Sequence, residues 1–169
     1  MTAPRGDRVS VSVLVAAEPA VAFEVFTDEI DQWWRRGLKY RVSRDRSVLH
    51  VEPRVGGGLF ETFHTPRGER TQRSGTVIAW EPPSRLVLEW RAANFSDDER
   101  TEVEVRFEPS PSGTLVTVTH TGWSAIPSDH PVRHGEDVPT FARRLALWWG
   151  GLAESLRQHV AERPPRMIV

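Results

Sequence analysis

Apolar and polar positions change their period twice along the chain. Residues 9–15 (VSVSVLV) alternate and predict a strand. Glu18-Pro19 then sets proline at a helix-starting position, and Val21, Ala22, Val25 and Phe26 recur at helical spacing. Thr27-Asp28 is predicted to cap a second short helix, on which Ile30, Trp33 and Trp34 share a face and which Gly37 ends. From 38 to 122 the pattern is period two, with candidate strands at 38–43, 47–53, 58–64, 73–81, 84–91, 102–109 and 114–121. Turn clusters (Pro66-Arg67-Gly68, Pro82-Pro83, Pro109 to Gly113) separate several of them. In 102–108 the division is sharpest: Val103, Val105 and Phe107 face one way, Glu102, Glu104, Arg106 and Glu108 the other. Such a sheet has one dry and one wet face. Residues 124–138 make a long polar connection, expected to be a solvated loop. After it Pro139 opens a helix to about 162 with an apolar stripe of Phe141, Leu145, Trp148, Leu152, Leu156 and Val160.

A one-sided antiparallel sheet must cover its apolar face, and the C-terminal helix carries the one long apolar stripe available. The expected architecture is therefore α+β: six or seven antiparallel strands curled around that helix, with two short helices plugging one end. All 169 residues are expected to form one domain, with a core of about 9–161 and tails at 1–8 and 162–169.

Composition removes several function classes. Lys+Arg is 22 and Asp+Glu 23, so the basic excess of a dedicated nucleic-acid binder is missing. With Cys at 0 there is no disulfide, thiol nucleophile or zinc–thiolate site. No apolar run suits a signal peptide or a membrane span, so a cytoplasmic protein without membrane insertion is expected. No Walker motif, dinucleotide fingerprint or G-x-S-x-G is present, and no cofactor is expected. His130 and His134 have i, i+4 spacing near Asp129, Glu136 and Asp137, but Pro131 and Gly135 oppose a helix there, so no metal site is expected. The run Gly56-Gly57-Gly58 leads into a strand, which suits a bulge that bends the sheet and not a phosphate loop.

The segments VEPRVGGGLFETF (51–63), GTVIAWEPPSRLVLEW (75–90) and VEVRFEPSPSGTLVTVTHTGW (103–123) resemble the START-like (SRPBCC, Bet v-like) helix-grip superfamily. With AEPAVAFEVFTDEIDQWW (17–34), the chain is most similar to the branch named after a homologue of the heat-shock chaperone ATPase activator. That branch's closing helix carries a Gly-Trp pair; here Leu147 stands before Trp148. The resemblance implies a fold with a cavity between sheet and helix. It implies no single function, since relatives include ligand carriers, cyclase- or hydratase-like enzymes and chaperone activators.

The aromatics expected to line such a cavity are Trp33, Trp34, Phe60, Phe63, Trp80, Trp90, Phe95, Trp123, Phe141 and Trp148, the alternative being that they only fill the core. Gly150-Gly151 inside a helix implies a close approach there, since each glycine costs about 1 kcal/mol relative to alanine. Two titratable groups are candidates for chemistry. Glu61 enters the cavity if the Leu59/Phe63 face is inward, where burial would raise its pKa, and is solvated if Phe60 is inward. Period alone does not decide; the resemblance favours the inward reading. His120 ends the run Val116, Val118, His120 and points inward with them, as an acid/base or as a core histidine bonded within the fold. His50 reads as solvent-facing and His64 as a hairpin-end residue.

Three functions follow. The first is binding of a small apolar or aromatic molecule, with the 93–100 and 124–138 loops gating the cavity. The second is a cyclase-, hydratase- or hydrolase-like enzyme using Glu61 or His120. The third is a chaperone-activator-like interaction domain, which requires a large exposed apolar patch. Either a monomer or a homodimer, formed through an edge strand or the outer helix face, is compatible with the sequence.

Overall fold

In the computed structural model, which describes residues 7–44, 46–92, 94–127 and 129–164, the period-two stretches form one antiparallel sheet. The strands are β1 (Val9–Val15), β2 (Ser47–Val51), β3 (Gly58–Thr65), β4 (Gly68–Glu81), β5 (Arg85–Trp90), β6 (Thr101–Ser110) and β7 (Gly113–Thr121). Their order is β1-β7-β6-β5-β4-β3-β2, so every sequential pair from β2 to β7 is a neighbour and β1 closes the far side against β7. Helices α1 (Pro19–Asp28) and α2 (Ile30–Trp33) follow β1, and α3 (Val138–Glu162) ends the fold. Val103, Val105 and Phe107 are buried on the inner face, while Glu102, Arg106 and Glu108 are exposed on the outer one. Each such buried apolar side chain contributes about 1.5–3 kcal/mol.

The glycine run, expected to form a bulge, instead makes the turn into β3, with Gly56 at φ 85°. The β3/β4 register shifts between Leu59 and Phe60. A side chain on Gly57 would come within 2.7 Å of Glu52 Cβ, so only glycine lets the chain fold back here. A second shift, between Val77 and Ala79, lies against β5. The resulting trough is closed at one end by α1 and α2: Phe23 and Phe26 pack on Phe107 at centroid distances of 5.0 and 5.7 Å.

Helix α3 begins with a capped turn, Asp137 Oδ1 accepting from the Thr140 N–H at 2.8 Å. Its buried stripe is Phe141, Leu145, Trp149, Leu152, Leu156 and Val160. Trp149 takes the fully buried place predicted for Trp148, which is half-buried; both lie a helical step from Leu145 and from Leu152, so spacing does not separate them. The C-terminal half of α3 is bolted to the helical plug: the Ser155 hydroxyl donates to Trp33 O, and Glu29 meets His159 and Arg163, each at 2.8 Å. Within the trough α3 lies closest to β1.

Four further expectations are corrected. Residues 38–43 are not a strand. Arg41 turns inward there, 5% exposed, and its guanidinium donates to the carbonyls of Asp31, Trp34, Arg35 and Ser47 and to Asp31 Oδ1 at 2.7 Å. These bonds tie the segment to α2 instead of letting it pair with a neighbouring strand. Burial disfavours the Asp31 carboxylate, but the hydrogen bonds from Arg41 and the Leu49 N–H, with the Arg41 charge, outweigh it and hold the carboxyl below its ordinary range. Thr27 does not cap α2; its hydroxyl donates back to Phe23 O inside α1. The connection 124–138 is not a solvated loop. It contains the short 3₁₀ turns Trp123–Ala125 and Pro131–Arg133, and it buries Ile126 and Arg133. The expected tails are shorter than predicted: Asp7 is buried and accepts from the Ser124 N–H, and Arg163 pairs with Glu29. Of these segments, residues 1–6, Ala93, Ser128 and 165–169 lie outside the described residues.

At the outer border of the sheet, β2 is held by α2 and the segment after it. Leu49 N–H donates to Asp31 Oδ1 at 2.9 Å, and Arg36 donates to Ser47 O at 2.9 Å. The whole is the helix-grip arrangement that the resemblance implies.

Candidate functional site

Because α3 lies toward β1, the other half of the trough is not filled by helix. A cavity of about 820 Å³ occupies it and opens to solvent. Its floor is Leu49, Leu59, Glu61, Ser74, Trp90 and His120 from the sheet; Phe141, Leu145 and Trp148 from the first half of α3 close one wall. Residues 38–42 form the opposite wall, and Asn94, Val132 and His134 stand on the loops expected to gate it.

The sequence-derived aromatics divide into two groups. Trp34, Trp90, Trp123, Phe141 and Trp148 line the cavity. Trp33, Phe60, Phe63, Trp80 and Phe95 do not. Trp33 is buried in the plug, its Nε1–H donating to Phe26 O at 3.1 Å. Trp80 packs edge-on against Phe23 at 5.0 Å. Phe60 faces outward beneath the Arg73 guanidinium, 5.2 Å from its centroid, because β3 alternates without a break and Leu59 and Glu61 are inward. Phe63 lies farther along β3, half-buried toward the hairpin. Phe95 supports Trp123 from behind at 6.0 Å. The lining indoles meet mainly edge to face, as with Trp34 on Trp148 at 5.8 Å and 74°.

Glu61 points inward and is 2% exposed. Its two carboxylate oxygens accept from the backbone N–H groups of Val42 and Ser43 at 3.0 and 2.8 Å. It therefore fastens the 38–42 wall to β3. Trp34 and Trp148 hold the same wall through their indole N–H groups, donating to Tyr40 O at 3.0 Å and Lys39 O at 2.6 Å. A side chain on Gly151 would lie 2.5 Å from the Tyr40 hydroxyl, so the wall is the close approach that this glycine permits. Gly150 has open space and permits none, contrary to the expectation for the pair.

His120 also points inward, 1% exposed. Nδ1 accepts from Trp149 Nε1–H at 3.1 Å, which leaves the proton on Nε2 to donate to Thr101 Oγ1 at 2.7 Å. The Thr101 hydroxyl passes on to Trp90 O at 3.3 Å. Burial lowers the imidazole pKa to about 3, so the ring is neutral at physiological pH. Glu61 and His120 both face the cavity, and both have their polar atoms engaged within the fold.

His50 is exposed, as is His64, whose ring stands 3.9 Å from Glu69. Of the acidic/His cluster, His130 accepts from the Val132 N–H on Nδ1 at 3.1 Å and donates through Nε2 to Asn94 O at 3.2 Å, which ties the two mouth loops together. Among the described residues no group of His, Asp and Glu is placed to hold a metal ion, and no helix is long and apolar enough to cross a membrane. Sequence reading missed the 38–42 wall and Trp149. The usable signal for the wall was Gly37, a chain reversal followed by an aromatic and a basic residue.

A family model described as Activator of Hsp90 ATPase homolog 1-like protein matches residues 16–148. Solved structures share the fold at low identity. Protein MLL2253 from Mesorhizobium loti has a TM-score of 0.62 and 19% identity, over 94% of this chain and 99% of that one. The AHSA1-like protein from Aeromonas hydrophila has 0.61 and 17%, over 95% and 99%. The Aha1 dimer from Colwellia psychrerythraea has 0.60 and 17%, over 90% and 95%. No curated protein matches. With the helix grip and this extent of matching, the chain belongs to the family of Activator of Hsp90 ATPase homolog 1-like proteins, within the SRPBCC superfamily.

Proposed function

We propose that this protein, acting as a single domain, binds a small apolar or aromatic molecule in the cavity between sheet and α3. The observation that carries the reading is a hollow of about 820 Å³ walled by Trp34, Trp90, Trp123, Phe141 and Trp148 in a chain that otherwise packs its core densely. Apolar burial at about 25 cal/mol per Å² supplies the affinity, and edge-on indoles favour a flat ligand. Binding is supported over turnover by the state of the inward titratable groups. His120 has both ring nitrogens engaged, and Glu61 has both oxygens engaged by the wall. His120 thus has no ring nitrogen left at which to move a proton, and Glu61 is 2% exposed and spent on fastening the wall.

Native mass spectrometry of freshly purified protein, followed by Trp-fluorescence titration with an aromatic and lipid panel, tests the reading. Saturable quenching that disappears in Trp90→Ala with the fold intact is expected. No response to any compound, and no co-purified molecule, overturns it.

One observation favours a second reading, contact with another protein. Leu38 and Leu147, 53% and 77% exposed, stand with Val42 at the cavity mouth. Stimulation of a heat-shock chaperone ATPase that is lost in Leu147→Gln would support it, and no stimulation by the wild-type protein removes it.

A further inference from the structure

The side-chain polar groups around the cavity divide unevenly into donors and acceptors. The lining's acceptor atoms already serve the fold: each Glu61 oxygen accepts one backbone N–H, from Val42 or Ser43, in a side chain 2% exposed, and His120 Nδ1 accepts from Trp149. The indole donors of Trp34 and Trp148 are likewise occupied, by Tyr40 O and Lys39 O. Three donor-only groups remain. Trp123 is 4% exposed, lines the cavity, and has a buried Nε1–H with no acceptor among the described residues. Trp90 lines it half-buried and its Nε1–H makes no hydrogen bond among the described residues. Lys39 stands exposed at the mouth. Its ammonium lies 5.4 Å from the Tyr40 ring centroid and has no carboxylate within ion-pair distance among the described residues. The other cations of the lining are already paired, Arg41 with Asp31, Arg91 with Asp97 and Arg144 with Glu136. Tyr40, Ser74 and Asn94 can serve in either role and do not alter the imbalance.

A buried donor without an acceptor is costly, and a buried indole N–H ordinarily finds a partner. From this imbalance we infer that the preferred occupant is a flat apolar molecule carrying an anionic acceptor of the carboxylate type. Its ring lies among Trp90, Trp123 and Trp148. Its oxygens accept from the free indole N–H groups, and Lys39 favours its negative charge. The inference rests on the cavity being the binding site, and it names the chemical class that the site selects.

The test uses three probes of one shape, titrated against the 169-residue chain by Trp fluorescence: 2-naphthoate, 2-methylnaphthalene and 2-naphthylmethylammonium. Naphthoate is expected to bind about tenfold tighter than methylnaphthalene, and the ammonium more weakly than either. Naphthoate affinity should fall several-fold in Trp123→Phe, which keeps a ring and loses the N–H. It should also fall in Lys39→Gln, an exposed change that leaves the fold alone. Methylnaphthalene affinity should be unchanged in Lys39→Gln. Methylnaphthalene or the ammonium binding as tightly as naphthoate overturns the inference while leaving cavity binding intact. Naphthoate affinity unmoved by both substitutions overturns it equally. Binding of none of the three overturns the cavity reading and this inference together.

Discussion

Trp149 donates its indole N–H to Nδ1 of His120 across 3.1 Å, joining the middle of α3 to the floor of the sheet. The bond sets the tautomer of a ring that faces the cavity, and it makes the histidine part of the scaffold. The helix is thus fixed to the sheet at the border of the hollow by a hydrogen bond that adds to the ring packing of Trp149 on Trp34 and Trp90.

This geometry predicts a specific dependence on acid. The native ring has a pKa of about 3, lowered by burial, against an ordinary value of 6.5. The unfolded chain therefore takes up a proton below pH 6.5 that the native state refuses. Stability is fully present above pH 6.5 and falls as pH drops toward 3, by up to about 1.4 kcal/mol per unit. Urea unfolding at pH 7, 6 and 5 should show this slope in the wild type and a shallower one in His120→Phe. Equal slopes in the two proteins would falsify the assignment.

The two adjacent glycines of α3 should respond unequally to the same change. Gly150→Ala meets open space and should raise stability by about 1 kcal/mol through helix propensity. Gly151→Ala runs into the Tyr40 hydroxyl, so the Tyr40 side chain must shift and the gain should be smaller than at Gly150. Thermal unfolding and Trp-fluorescence titration of both variants measure the contrast.

Glu61→Gln replaces one acceptor oxygen by an amide donor that faces a backbone N–H. The loss should be about 1–3 kcal/mol. Hydrogen exchange at the amides of Val42 and Ser43 should accelerate more than elsewhere. Unchanged protection at those two amides would remove the fastening role.

Arg41→Ala should be among the most damaging single changes. It leaves four carbonyls and the partly buried Asp31 carboxylate without their common donor. A loss of about 3 kcal/mol is expected in urea unfolding. Arg36→Ala, whose side chain is 54% exposed, should cost less than 1 kcal/mol.

Strand alternation and helix periodicity were readable because they follow from one dry face on each element. Val103, Val105 and Phe107 declare their sheet, and Leu152, Leu156 and Val160 declare their helix. The site was only partly readable. Trp90, Trp123 and Phe141 reach the cavity because they sit on predictable elements near its border. Trp80 and Phe95 are equally apolar and serve as packing behind it. What distinguishes the two groups is where α3 crosses the sheet, and local sequence does not encode that. The 38–42 wall was misread for a related reason: its fold comes from buried polar bonds to Asp31 and Glu61, and a pattern built on hydrophobicity assigns such residues to the surface.

The outermost strand carries a consequence for the chain's behaviour in a crowded solution. A sheet border with bare amides and carbonyls invites strands from other molecules to zip onto it, the first step toward fibrils. At β2 Asp31 and Arg36 already engage the Leu49 amide and the Ser47 carbonyl, which opposes the docking of a foreign strand at those two positions.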